Sequence, residues 1–305
     1  MPIDITQLPS TPSLLRVRQG TSTLTGLFED GRLRRVERGF DELLSEPVVA
    51  IREALQRAGP RLDPDECELL APVESQEVWA AGVTYLRSRQ ARMEESTEAD
   101  IYARVYRADR PELFFKAAGW RVVSPGGEVG IRPDSQWNVP EPELCVLSNR
   151  FAEVVAYSCG NDMSSRSIEG ENPLYLPQAK VYDRSCSIGP AAVLAWRVTP
   201  AASGMEMRIE RAGEVVFIGQ AAVSDLVRDP AELSAVLHSA YPLPVGAWLM
   251  TGTAIVPPLP YTAESGDLVR ITIEGLGTLV NRVAVVPHSG ATAGPTLAGN
   301  DVTLT

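Results

Sequence analysis

Asn138-Val139-Pro140-Glu141-Pro142-Glu143-Leu144-Cys145-Val146-Leu147 is the stretch on which the reading of this chain turns. If Glu141 to Ser148 is a strand, alternation puts Glu141 and Glu143 on one face and Leu144 and Val146 on the other. Two carboxylates two residues apart on one face repel unless something positive sits between them. Pro142 has no N–H for a ladder, so this end of the strand lies at an edge or a mouth. A hard divalent cation suits such a place, because Mg²⁺ and Ca²⁺ take carboxylate oxygens. Taken alone, an E-x-E pair is usually just a solvated strand face. The next segment raises its significance. An Asn149-Arg150 turn joins the strand to the apolar, strand-like Phe151–Cys159, which runs into Gly160-Asn161-Asp162-Met163-Ser164-Ser165-Arg166. A hairpin of this kind can bring Asp162 beside the two glutamates as a third carboxylate, with open metal positions left for substrate.

Lysine usage adds a second signal. Of 28 Lys+Arg residues, only Lys116 and Lys180 are lysine. Lysine is a compact point charge that can lose its proton when buried, whereas arginine is a wide fork that stays charged. A lysine kept in so arginine-rich a chain is a candidate for a place where arginine does not fit. Lys180 follows the acidic motif, and a cation next to a metal stabilises an enolate or oxyanion. Lys116 either lines the same pocket or makes a structural ion pair.

Composition bounds the rest. The chain has 305 residues, a net charge of −11 and 44% apolar residues. That is enough for one large domain, or one with a smaller companion. The acidic balance argues against nucleic acid and anionic membranes as partners. The longest apolar stretches, Ser187–Trp196 and Leu243–Pro260, are short or broken by Pro and Gly, so no membrane-spanning helix is expected. No signal peptide is visible at the start. Four cysteines (Cys67, Cys145, Cys159 and Cys186) lack C-x-x-C spacing and read as buried thiols, so a cytoplasmic location is expected. With only His238 and His288, a His-rich zinc site is excluded. Helical spacing runs from Phe40 to Ala58 with Pro47 as an interruption, and Tyr85–Arg107 also reads as helical. Gly59–Asp65 is a loop, and the expected division is a small N-terminal α+β domain at 1–66 and a catalytic domain at 67–305. Strands outnumber helices without regular βαβ alternation. The class is therefore α+β with a large mixed or mostly antiparallel sheet.

The order of these motifs resembles the fumarylacetoacetate hydrolase superfamily. Gly82-Val83-Thr84-Tyr85 is similar to its G-L-N-Y segment, and Pro111–Lys116 to its P-x-x-F-x-K segment. Thr251-Gly252-Thr253 resembles its substrate loop, and Ser265–Asn281 its closing G-D-x-V…G-x-L-x-N run. The resemblance covers roughly residues 78–286. It implies a mixed β-sandwich or β-roll with a smaller N-terminal domain, and a homodimer or homotetramer. It implies metal ligands Glu141, Glu143 and Asp162, with Mg²⁺ first and Mn²⁺ or Ca²⁺ as alternatives. Lys180 then lies beside the substrate oxyanion, and Thr251, Gly252 and Thr253 at the substrate, a small keto acid.

Departures from the pattern bear on the reaction. Hydrolases of this family usually carry a His three residues after the Tyr of the N-Y motif, followed by a Glu, to activate water. Here Ser88 and Ala91 stand in those places. The family's Gln seven residues after the metal Asp is Glu169 here. Gly82–Ser96 and Ile168–Lys180 instead resemble the branch that dehydrates 2-keto-3-deoxy sugar acids, whose best-known member acts on 2-keto-3-deoxy-D-arabinonate. That implies loss of water to give 2-oxoglutarate semialdehyde. Glu112, ahead of Leu113-Phe114-Phe115, is the first candidate for proton transfer; Lys180 is the other. Tyr85, Arg87 and Arg89 are candidate substrate contacts, while Glu169 and Glu171 either help the leaving hydroxyl or, as the preferred reading, belong to a surface loop. Two other readings stay open: an acylpyruvate or fumarylacetoacetate-type hydrolase or oxaloacetate decarboxylase, and a non-catalytic keto-acid binder.

Overall fold

The computed structural model describes residues 3–85, 104–106 and 108–287. The N-terminal part is a meander of β1 (Ser13–Gln19), β2 (Ser22–Glu29) and β3 (Arg32–Val36). Asp30 and Gly31 join β2 to β3 with φ of 51° and 69°. Two consecutive positive φ values make the tight turn whose twist matches paired strands. Two helices follow, α1 (Phe40–Leu44) and α2 (Val48–Gln56). Pro47 stands at the start of α2, and its missing N–H is why the apolar period from Phe40 breaks into two helices. Short β4 (Arg61–Leu62) and β5 (Glu68–Leu70) lead to β6 (Glu77–Gly82) and β7 (Glu112–Ala117). Then come β8 (Glu128–Ile131), β9 (Asn138–Val139), β10 (Pro142–Ser148), β11 (Val154–Asp162) and β12 (Ser164–Ser165). Two short helices, α3 (Arg166–Glu171) and α4 (Leu176–Lys180), precede β13 (Cys186–Leu194). The hairpin β14 (Gly204–Arg211) and β15 (Glu214–Ala222) turns at Ala212-Gly213. Helix α5 (Pro230–His238) starts on Asp229, whose carboxylate accepts from the Ala231 N–H. The last strands are β16 (Ala247–Met250), β17 (Leu268–Ile273) and β18 (Gly277–Val285).

Among the described residues, eleven strands form one sheet in the order β4-β3-β2-β1-β13-β11-β10-β16-β6-β7, with β5 also on β1. A five-stranded sheet runs β15-β14-β17-β18-β8. Pairing is antiparallel except for β16 with β6 and β18 with β8, so the sheets are mixed, as expected. Strands β10 and β13 are buried at every residue, because both faces of the large sheet are covered. On one face Cys145, Leu147, Ile188 and Ala192 pack with Phe40, Leu43, Leu44 and Ile51 of α1 and α2. Each large apolar side chain buried there contributes roughly 1.5–3 kcal/mol. On the other face Leu144, Cys159 and Val193 pack with Met207, Ile209, Ile271 and Leu279 of the small sheet. The expected boundary at 66/67 falls inside this architecture. Strand β1 pairs with β13, and Leu14, Leu27 and Val36 share one core with Cys145 and Trp248.

Candidate active site

The site forms where the large sheet's central ladder runs out. Strand β16 pairs with β10 only over Cys145–Ser148. Beyond that, the Thr251 N–H still donates to the Leu144 carbonyl at 3.0 Å, and the next N–H, of Gly252, donates to the Glu143 carboxylate at 2.6 Å. Pro142 is the first residue of β10, past the end of the β16 pairing, a place where a strand tolerates a residue without an N–H. Across the hairpin, Glu141 and Asp162 exchange backbone hydrogen bonds at 3.1 and 2.9 Å and so stand opposite each other. The hairpin register thus brings Glu141, Glu143 and Asp162 together, with one oxygen of each within 4.8 Å of the others. All three are at most 2% exposed.

Cations from three elements close around two of these carboxylates. Lys180, the last residue of α4, places Nζ 2.6 Å from Glu141 Oε2, 2.7 Å from Asp162 Oδ2 and 2.6 Å from Ser164 Oγ. Lys116 on β7 places Nζ 2.5 Å from Asp162 Oδ1 and donates to the carbonyls of Met163 (3.1 Å) and Lys180 (2.5 Å). An ammonium has three donors, and each lysine meets three acceptors from one atom. Arginine's planar fork cannot do that, which gives the two lysines a physical reason to be lysine. Arg166, at the start of α3, pairs with Glu141 Oε1 at 2.9 Å. Among the described residues, Glu143 alone of the three has no cation at ion-pair distance. Burial, then Asp162, hold its carboxyl well above the usual carboxylate range; Lys180 and the Gly252 N–H pull the other way.

One cavity opens onto this cluster. Glu141, Glu143, Asp162 and Lys180 line it, together with Gly82, Val83, Glu112, Phe114, Glu169, Leu176, Gly252 and Thr253. Glu112 begins β7 opposite Gly82 of β6. Its carboxylate occupies the space where a Cβ on residue 82 would stand, 2.0 Å from Oε2. Gly252 takes φ +94°, and a Cβ there would meet Thr84 Oγ1 at 2.0 Å. Thr251 is a framework residue: its hydroxyl donates to the Leu144 carbonyl at 2.9 Å, and its carbonyl accepts from Thr84 Oγ1 at 2.5 Å. It does not line the cavity, whereas Gly252 and Thr253 do. Tyr85 is buried outside the lining, and burial, then Glu143, push its phenol up. Arg87, Arg89, Ser88 and Ala91 lie outside the described residues, as does the expected helix to Arg107 except Tyr85, which forms a β-bridge with Leu226 instead of starting a helix, and 104–106, which are helical. His238 is far from the site: its Nε2 bonds Ser148 Oγ (2.9 Å) at the opposite end of β10.

The family model for the fumarylacetoacetate (FAA) hydrolase C-terminal domain matches residues 78–284. The chain belongs to the fumarylacetoacetate hydrolase family. A member of this family from Haloferax volcanii, named "Probable 2-keto-3-deoxyxylonate dehydratase", is 54% identical over 216 residues, covering 70% of this chain and 74% of its own. The 2-dehydro-3-deoxy-D-arabinonate dehydratase of Saccharolobus solfataricus is 37% identical over 224 residues, covering 72% of this chain and 75% of its own. A solved 2-keto-3-deoxy-D-arabinonate dehydratase, complexed with magnesium and 2,5-dioxopentanoate, matches with a TM-score of 0.81 and 30% identity, covering 90% of this chain and all of that one.

For this family member, sequence reasoning missed Arg166, which reaches the triad through Glu141, and misjudged Glu169. Glu169, read as surface loop, is 4% exposed and lines the cavity; Glu171 is exposed. Ser165 caps α3, accepting from the Ile168 N–H, and this turn carries Arg166 and Glu169 inward. Arg166 was visible in the S-S-R motif but carried no assignment. The signal for Glu169 was its spacing from Arg166, since residues three apart on a helix share a face.

Proposed function

We propose that this enzyme is a Mg²⁺-dependent lyase that dehydrates a 2-keto-3-deoxy sugar acid, 2-keto-3-deoxy-D-arabinonate being the reference substrate, to 2-oxoglutarate semialdehyde and water. The observation that carries the reading is the buried carboxylate triad sharing one cavity with Lys180 and Glu112. No histidine is among the described residues that line it. The donor set fits a hard divalent cation: three buried carboxylates converge, and among the described residues Glu143 has no cation at ion-pair distance. Glu141, Glu143 and Asp162 would hold it, with Mn²⁺ and Ca²⁺ as chemical alternatives. When bound, Mg²⁺ draws electron density from the keto and carboxylate oxygens of a 2-keto acid and so acidifies the C3–H bonds.

The chain's own groups supply the rest. Lys180 fixes the orientation of Glu141 and Asp162 and keeps positive charge where the C2 oxygen gains electron density. Glu112, facing the cavity from β7, takes a proton from C3. The C4 hydroxyl leaves with a proton as water, and the unsaturated product tautomerises to the aldehyde. Lys116 and Arg166 act through the carboxylates they pair with. The four cysteines are free and buried, which supports a reducing cytoplasmic location. No described helix is long and apolar enough to cross a membrane. A homodimer or homotetramer is supported by the edge strand β15, which leaves Val215, Val216 and Ile218 exposed.

The test is one coupled assay. Metal-stripped protein receives Mg²⁺ and racemic 2-keto-3-deoxypentonate, and an NADP-dependent aldehyde dehydrogenase traps the semialdehyde. NADPH formation that requires Mg²⁺ is the expected result. A flat trace beside an active coupling enzyme overturns the reading and moves acylpyruvates and oxaloacetate to first place.

A further inference from the structure

We propose that Val83 sets the specificity of the cavity for a 2-keto acid whose C3 carries no substituent. The position of C3 rests on the dehydratase reading; the placement of Val83 does not. Five described residues other than glycine take a positive φ, and Val83, at 55°, is the only one of them that is β-branched and the only one that lines this cavity. A branched side chain is strongly disfavoured in that region, and backbone held there by its surroundings is a mark of functional sites. Here the surroundings are firm on both sides. Gly82, the last residue of β6, pairs with Glu112. Beyond Val83, the Thr84 hydroxyl donates to the Thr251 carbonyl at 2.5 Å, the Thr84 carbonyl accepts from the Val227 N–H at 3.1 Å, and Tyr85 bridges to Leu226. Successive strand residues face opposite ways, so Gly82 and Val83 share one cavity because the chain turns at Val83. Val83 is thereby set between two parts of the site. On one side Gly82 lies against the Glu112 carboxylate; on the other Thr84 lies against Gly252, whose N–H holds Glu143. A substrate with its keto-acid head at the triad and C3 toward Glu112 runs along this span, past a buried apolar side chain with a rigid branch. A methylene fits beside that branch, whereas a substituent on C3 meets it. The 3-deoxy acids differ from other 2-keto sugar acids at this carbon.

The experiment uses two isomers that cannot lose water, 2-oxopentanoate and 3-methyl-2-oxobutanoate, so it reads binding apart from turnover. They share one formula and differ in whether the fifth carbon extends the chain or branches from C3. Mg²⁺-loaded wild-type protein is titrated calorimetrically with each. It is expected to prefer the straight isomer by about 10–200-fold, the range for one misplaced carbon in an apolar pocket. Val83→Ala removes the branch and should bring that ratio close to one. Val83→Gly should do the same. It adopts the left-handed turn without strain and so covers the case in which Val83→Ala does not fold. A purely structural role would weaken both isomers together and leave the ratio alone. An unchanged ratio in the folded variants overturns the proposal, as does a wild type without preference. Failure of the coupled dehydration assay, with the preference present in the wild type and lost in the variants, overturns the dehydratase reading and not the role of Val83.

Discussion

Lys180 meets Glu141, Asp162 and Ser164 with a single nitrogen, and that geometry makes its loss specific. Lys180→Ala is expected to lower kcat by about 10²–10³-fold, the cost of removing one preorganised group beside developing charge. Mg²⁺ affinity should change less, and equal losses in kcat and in Mg²⁺ affinity would assign the lysine to the metal alone. Rarity made both lysines legible in the sequence, and spacing did the same for Glu141, Glu143 and Asp162. Glu169 was not legible as a cavity residue, because its burial depends on where the α3 turn lands against β9 and α4, which a local polar stretch does not reveal. His238 offers a check far from the chemistry. Burial lowers its pKa below the ordinary 6.5. As pH falls through 6.5, the unfolded chain takes up the proton before the folded one does, so this contribution to stability is present above 6.5 and is lost below it. Thermal stability should fall over that window in the wild type and less steeply in His238→Gln; parallel profiles would show that His238 contributes nothing.

At the level of elements, the β10–β11 hairpin could be read almost whole: a turn at Asn149, two apolar runs, and acidic residues at the open end. What could not be read was the partner strand. Strand β16 arrives from about a hundred residues downstream, and only its register shows that the ladder ends where Glu143 takes over the Gly252 N–H. That handover depends on a residue with φ +94° and no room for a Cβ beside Thr84. Gly252→Ala is therefore expected to displace the loop, release Glu143 and weaken Mg²⁺ binding by about 10–100-fold, the range for losing a ligand's outer partner. Calorimetric titration with Mg²⁺ checks this; wild-type affinity would mean that the loop does not position Glu143. The two-residue turn at Asp30-Gly31 and the restart of helix after Pro47 were local, and local chemistry was enough to read them.

For the molecule as a whole, the carboxylate cluster joins the two ends of the chain's stability problem. It gathers negative charge inside the main core, and a bound cation offsets that charge. A ligand at 100 times its Kd stabilises the folded state by about 2.7 kcal/mol. Chelation should lower Tm by several degrees and saturating Mg²⁺ should restore it. Glu141→Gln should respond to neither, and a variant that still shifts with Mg²⁺ would remove Glu141 from the ligand set. The class and the mixed sheet were legible from strand and turn signals. The continuity of β1 with β13 was not, because a pairing across about 180 residues leaves no mark in a local pattern. The two tethered lysines have a practical corollary. Both ε-amino groups of the chain are buried, at 1% and 2% exposure. Amine-directed dyes, cross-linkers and resins will find no side chain to react with on the native fold, and labelling of a lysine will itself report that the active site has come apart.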